Sequence, residues 1–178
     1  MQAGGIILYP TDTIWGIGCD ALNATAIQRI YTLKQRPDSK SLIILLAEEK
    51  DLLQYIAAPP PRIFQLLKEW RNRPTTVIYE QAIRLPENLI NQQDGSIAIR
   101  ITQDRFCKSL IKALGRPLVS TSANISGMPA ASSFAAIHPD IKDGVDYIFN
   151  YRRKDDRQRP PSRMIKLNPD GTQNIIRE

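Results

Sequence analysis

Residues 7–21 read ILYPTDTIWGIGCDA. The run Gly5-Ile6-Ile7-Leu8 that leads into this stretch has the length and apolar character of a short buried strand. It opens into Pro10-Thr11-Asp12-Thr13 and then into Gly16 and Gly18. Two hydroxyls, a carboxylate and small residues at a strand end predict a ligand-facing turn. The rest of the chain has to say which ligand.

A dinucleotide is the first candidate. GIGCDA (16–21) matches G-x-G-x-x-A, and Asp38 lies about twenty residues further on, where a ribose-binding acid belongs. The context fails, because the strand has ended well before Gly16 and Asp38 follows Pro37 instead of closing a second strand. No Walker A sequence is present either.

Outward from this stretch, strands and helices mix throughout. NATAIQRIYTLK (23–34) predicts a helix with Asn23 or Thr25 as cap and Ile27, Ile30 and Tyr31 on one face, ended by Pro37. SLIILL (41–46) reads as a buried strand, and helical stretches follow around 48–57 and 61–70, broken by the prolines at 59–61. TTVIYE (75–80) and SIAIRIT (96–102) are strands. The second alternates, with Ile97, Ile99 and Ile101 on one face and Ser96, Ala98, Arg100 and Thr102 on the other. DRFCKSLIKALG (104–115) predicts a helix capped by Asp104 and stopped by Gly115. PLVST (117–121) is another strand, a helix is expected over 132–138, and YIFN (147–150) is a strand beyond it. The end is a hairpin turning at Asn168-Pro169-Asp170-Gly171. The pattern is that of an α/β or α+β sheet in one domain spanning 1–178.

Composition narrows the function. Apolar content of 42% and charged content of 24% suit a soluble globular chain, and neither a membrane-length apolar run nor a signal-type start is seen, so the cytoplasm is expected. Cys19 and Cys107 stand far apart without a CxxC or a nearby His and read as small core hydrophobes. His138, the single histidine, precedes Pro139 and reads as a surface residue. A Ser-His-Asp arrangement would rest on it alone, and no carboxylate pair has the spacing of a hydrolytic dyad. Charge points elsewhere. Of the net +6, residues 151–166 carry seven basic and two acidic side chains, a mobile basic loop suited to a polyanion.

Three more pieces fit a phosphate ligand. Lys34 and Arg36 flank a helix end where both can swing toward one anion, with Lys40 just beyond, although the same cations also suit a helix C-terminus. STSANISG (120–127) aligns Ser120, Ser122 and Asn124 along one side of an extended stretch. Ser96 and Arg100 share a strand face and offer a hydroxyl and a guanidinium to one cavity.

Together these segments resemble the YrdC-like family of L-threonylcarbamoyladenylate synthases in its short, single-domain form. The resemblance rests on ILYPTDTIWGIGCDA, on Lys34-x-Arg36-Pro37 against K-x-R-P, and on the arginine-bearing strand SIAIRI. It rests also on STSANISG with its S-x-N at Ser122 and Asn124, and more weakly on PSRMIKL (161–167) against P-S-T and a strand. The blocks run in family order from residue 5 to about 176. The chain departs from the pattern at Ser41, where a Pro is usual. WRNRPTT (70–76) keeps Trp70, Pro74 and Thr76 but lacks the usual glycine, and Arg163 replaces the Thr of P-S-T.

The resemblance implies an open twisted sheet of mixed parallel and antiparallel strands with flanking helices and a large concave basic cavity. It implies that ATP, L-threonine and bicarbonate become threonylcarbamoyl-AMP and pyrophosphate, with Mg²⁺ carried on ATP and no protein-ligated metal. Proteins of a threonylcarbamoyl-transfer complex then modify tRNA beside the anticodon. Direct binding of tRNA or double-stranded RNA is open, and a non-catalytic RNA-binding protein of the same fold is the alternative. By matching position, Lys34, Arg36, Ser122 and Asn124 form the catalytic and nucleotide-binding set, joined by Lys40, Ser96 and Ser162. Thr13, Arg100 and Ser120 fall where threonine is held, with Thr11 beside them. Thr76 and Arg163 are further candidates, Arg163 as a phosphate ligand.

Overall fold

The structure, a computed structural model, describes residues 1–37, 42–157 and 159–178. Ile7–Tyr9 form β1 and Gly16–Gly18 form β2, joined by the Pro10–Trp15 turn. Ala24–Leu33 form α1, capped by the Asn23 carboxamide, which accepts from the Ala26 amide at 2.9 Å. β3 is Ile43–Leu46, β4 Thr75–Tyr79, β5 Ile97–Ile101, β6 Leu118–Ser122, β7 Tyr147–Ile148, β8 Arg163–Leu167 and β9 Gln173–Arg177. α2 is Ile63–Glu69, α3 Arg105–Leu114 and α4 Pro139–Asp143.

Among the described residues these strands make one sheet in the order β7-β1-β2-β6-β3-β5-β4-β8-β9. β1–β7, β3–β5 and β4–β8 run parallel, and the other neighbours are antiparallel. The mixed open sheet is the architecture expected from the sequence.

Strand alternation explains where a cavity is left. Leu8, Ile17, Ile44, Leu46, Val77, Ile97, Ile99, Val119 and Ile165 face the larger core, which α1 and α2 close with Ile27, Ile30, Ile63 and Leu66. The opposite face is covered only in part. There α3 lays Cys107, Ile111 and Leu114 over Ile7, Tyr9, Leu45 and Leu118. Beyond the reach of α3, the same face carries Ala98, Arg100, Ser120, Ser122, Ile78 and Met164, and these form a cavity floor. The α3 ends match its sequence, since Asp104 accepts from the Cys107 amide at 2.9 Å and Gly115 turns the chain at φ +71°. Both cysteines lie in the interior, where burial pushes the Cys19 thiol up to about 12 and also raises that of Cys107.

Three local expectations are revised. Gly16 and Gly18 lie in β2, not in the ligand turn, because the chain doubles back at once and pairs with β1 and β6. The 48–57 segment is a 3₁₀ helix over Glu49–Gln54. The helix expected over 132–138 instead starts at Pro139, which suits the first helical position, with His138 as cap accepting from the Asp140 amide at 3.2 Å.

Gly18 also shows why the motif needs a glycine here. A Cβ on it would sit 2.4 Å from the Val119 carbonyl oxygen and 2.8 Å from the Tyr9 ring, whereas at Gly16 the nearest atoms are at 3.4 Å. Gly18→Ala is therefore expected to lose about 2 kcal/mol by overpacking, read as a lower midpoint in urea unfolding. Gly16→Ala should unfold close to the parent; equal midpoints for both variants would refute this cause.

Candidate active site

The cavity on the open sheet face holds about 420 Å³. The Pro10–Trp15 turn forms one wall, Arg36 another, and Ser162 and Arg177 close the far side.

In the turn, Thr11 is spent on local structure. Its hydroxyl accepts from the Thr13 amide at 3.0 Å and donates to the Ile14 carbonyl at 2.7 Å. Thr13 then donates to Thr11 at 3.0 Å and accepts from Arg100 Nη1 at 3.3 Å. This proton order leaves the Thr11 hydroxyl fully committed and aims Thr13, in the turn between β1 and β2, and Arg100, on β5, at each other. Arg100 is 5% exposed. Its Nη2 stands 3.3 Å from Asp12 Oδ1, close enough for an ion pair but too poorly aligned for a hydrogen bond, so that oxygen is without a hydrogen-bond partner. Arg100 Nε is also buried without a partner. Such atoms typically cost about 1–3 kcal/mol each and are rare in settled interiors. Ser120, 8% exposed, lines the same cavity from β6. Thr13, Arg100 and Ser120 thus meet in one place.

The nucleotide set divides into two layers. Arg36 and Ser122 line the cavity. Lys34 does not. It is 1% exposed, and its Nζ donates to the carbonyl oxygens of Ser122 and Asn124. Its own carbonyl accepts from the Ser126 amide at 2.8 Å. Burial, and next the charge of Arg36, push the Lys34 ammonium down to about 7. Burial also lowers the Arg36 guanidinium. Asn124 stitches its loop by donating from Nδ2 to the Ile125 carbonyl at 2.9 Å and the Met128 carbonyl at 2.6 Å, leaving Oδ1 buried without a partner. Lys34 and Asn124 therefore hold the loop from behind.

The remaining candidates scatter. Ser162 lines the cavity, and its hydroxyl shares a 2.7 Å hydrogen bond with that of Thr76, which reaches the site only through it. Ser96 lies at the start of β5, where its hydroxyl and amide engage the Asp94 carboxylate, away from the cavity lining. Arg163 alternates with Ser162 and Met164, so its Nη2 meets Thr75 Oγ1 at 3.4 Å on the other side of the strand. The expected role of Arg163 as a phosphate ligand has no geometric support here. Lys40 and Ser41 lie outside the described residues.

Asp12 is the carboxylate expected in the ligand-facing turn, but nothing local in the sequence ties it to Arg100. One further site residue goes unmarked. Arg177 lines the cavity and donates from Nη2 and Nε to the Ser162 carbonyl at 2.8 and 3.2 Å. No sequence signal marks it, because only the register of β9 on β8 brings it there.

The basic segment is better anchored than expected. Arg152 pairs with the helix-capping Asp104 at 2.6 Å and lies over the Tyr151 ring, while Arg157 and Arg159 hold Asp155.

Comparison with known proteins adds three findings. The Sua5/YciO/YrdC family model, whose description reads "Telomere recombination", matches residues 1–178. A threonylcarbamoyl-AMP synthase of Idiomarina loihiensis is 37% identical over 149 residues, 82% of this chain and 79% of that one. P. abyssi Sua5 complexed with L-threonine superposes with a TM-score of 0.81 at 27% identity over 93% of the chain, and E. coli YciO with 0.79 at 26% over 99%. The chain spans about half (48%) of that Sua5 and 84% of YciO.

Proposed function

The chain belongs to the Sua5/YciO/YrdC family, and from that membership we propose that it is an L-threonylcarbamoyladenylate synthase, a nucleotidyltransferase whose catalytic domain is residues 1–178. The observation that carries this reading is the meeting of Thr13, Arg100 and Ser120 with Arg36 and Ser122 on one cavity. Relatives named threonylcarbamoyl-AMP synthase and a threonine-bound structure of the same fold support it.

The chemistry needs positioning more than a dedicated base. The amine of threonine condenses with bicarbonate to a carbamate with loss of water. A carbamate oxygen attacks the α-phosphorus of ATP, the bond to the oxygen bridging the α- and β-phosphorus breaks, and pyrophosphate leaves with Mg²⁺. Arg100 is the fork for the threonine carboxylate, because a buried guanidinium with an unused Nε gains most from a carboxylate partner. Thr13, fixed by Arg100 and Thr11, and Ser120 orient the rest of the amino acid. Arg36, Ser122 and Arg177 face the space left for the nucleotide, where fixed cations and donors stabilise charge as it spreads over the phosphates. Lys34 and Asn124 act one layer out, by setting Ser122.

Mg²⁺ is assigned to the ATP oxygens, as part of the substrate. Transfer of the product to tRNA falls to partner proteins in the cytoplasm. None of the described helices is long and apolar enough to cross a membrane.

The test is pyrophosphate release from ATP, Mg²⁺ and bicarbonate with and without L-threonine. Release that needs both threonine and bicarbonate, and that serine does not replace, is expected. Release indifferent to threonine would overturn the assignment.

A further inference from the structure

Lys34 and Arg36 face different ways, and the backbone of the residue between them sets that division. α1 ends at Leu33, Lys34 keeps a right-handed backbone as its cap, and Gln35 turns left-handed at φ +50°. The Gln35 amide then donates to the Thr32 carbonyl and the Arg36 amide to the Tyr31 carbonyl, both at 3.0 Å. These two bonds make the helix end in which a glycine most often takes the left-handed position. Here a glutamine takes it, although its Cβ disfavours that conformation. The Gln35 side chain itself is exposed.

The consequences reach the cavity along the main chain. A helix continued through residue 35 would set Arg36 about 200° from Lys34 around its axis and would commit the Lys34 carbonyl to an amide one turn on. The left-handed turn frees that carbonyl instead, and it accepts from the Ser126 amide at 2.8 Å. Lys34 Nζ serves the Ser122 and Asn124 carbonyls of the same loop, so side chain and backbone of one residue grip it together. Arg36, meanwhile, is held by its amide to Tyr31 while its side chain lines the cavity. Tyr31 is a firm anchor, since it is 2% exposed and its hydroxyl donates to the Asn88 carbonyl at 3.1 Å.

We propose that Gln35 is a positioning residue for the reaction, whose left-handed backbone, and not its side chain, directs Lys34 to the loop and Arg36 to the cavity. The inference rests on the synthase reading for the chemistry that Arg36 serves. Glycine, which adopts this conformation freely, then serves at position 35, and alanine, which keeps the Cβ without the polar end, serves as well as glutamine. A β-branched residue does not, because positive φ is a severe outlier for it. With the turn lost, the loop loses its grip from Lys34, and Arg36 loses its hold on Tyr31.

The experiment compares Gln35→Gly, Gln35→Ala and Gln35→Val with Gln81→Val. Gln81 is a matched control: it is exposed, left-handed at φ +57°, and follows β4 away from the cavity lining. Both valine variants are expected to lower the midpoint of urea unfolding to a similar extent. Only Gln35→Val should slow threonine-dependent pyrophosphate release, by about tenfold or more, with the KM for L-threonine near that of the parent. Only in Gln35→Val should amide exchange followed by NMR lose protection at Arg36 and Ser126, by about tenfold. Gln35→Gly and Gln35→Ala should match the parent in rate and in protection. A slowed rate in either of them would give the role to the side chain and overturn the proposal. So would a parental rate in Gln35→Val, or an equal loss of rate in Gln81→Val. Failure of the synthase reading shows differently, as no threonine-dependent release from the parent while the exchange difference between Gln35→Val and Gln35→Gly persists.

Discussion

Lys34→Ala is expected to lower stability by about 3 kcal/mol at pH 8 and to slow adenylate formation about a hundredfold. The Lys34 side chain is buried and its Nζ serves two carbonyls, those of Ser122 and Asn124. Removing it strands both acceptors inside the protein and releases the loop that carries Ser122 to the cavity. Small displacements of a positioning group cost rate steeply. Lys34→Met separates the contributions, since it keeps the apolar stem and loses only the donors, so urea unfolding should show a smaller stability loss while the rate stays low. A rate near that of the parent in Lys34→Met would show that the clamp is not needed.

The same residue gives a pH dependence with a definite sign. In the folded chain Lys34 is pushed down to about 7, by burial first and the Arg36 charge second, against about 10.4 when unfolded. Between those values the unfolded chain binds the extra proton, so this contribution to stability rises with pH. It is complete above the unfolded value and is lost as pH falls through about 7. The slope between pH 7 and 10 should be shallower in Lys34→Met than in the parent, measured as unfolding free energy against pH. Identical slopes would place the lysine in a more solvated setting than the structure has it.

Arg100→Ala is the second large expectation, a loss of threonine affinity of about thirtyfold with a much smaller change in the KM for ATP. Arg100 sits between Thr13 and Asp12 with its Nε unused, so its removal both deletes the fork and leaves Asp12 without its cation. Arg100→Lys should not restore affinity, because an ammonium offers no paired donors in one plane. Titration with L-threonine checks this. Unchanged threonine affinity with weakened ATP binding would move Arg100 to the nucleotide side.

Much of the architecture was legible because it follows from local rules. The strict alternation of Ser96–Thr102 assigned the faces of β5 correctly, with Ile97 and Ile99 in the core and Ala98 and Arg100 on the cavity. Asn23 and Asp104 cap their helices as their positions predict, and the Asn168–Gly171 turn closes with the Gly171 amide on the Asn168 carbonyl at 2.9 Å. The motif blocks pointed to the family that matches residues 1–178. The local misreadings have local causes as well. A three-residue strand such as Gly16–Gly18 carries no periodicity, and its glycines answer to Val119 and Tyr9, which are distant or turned back in the chain.

By itself, then, the sequence determined most of the strands and helices, which depend on neighbours within a few residues, and through its motif blocks the family, whose resemblance implied the mixed sheet and the hydroxyl-rich turn. Only the tertiary structure decided which candidates reach the cavity. Lys34 and Arg36 are two residues apart, yet one is buried against carbonyls from β6 and its loop while the other lines the cavity. Arg163 and Ser162 are adjacent and lie on opposite sides of β8. Arg177 enters the site through hairpin register alone, and Asp12 through an ion pair with Arg100. The reason is common to all of these. Which way a side chain faces, and what meets it there, depends on strand partners and burial contributed by segments tens of residues away, which no local pattern encodes.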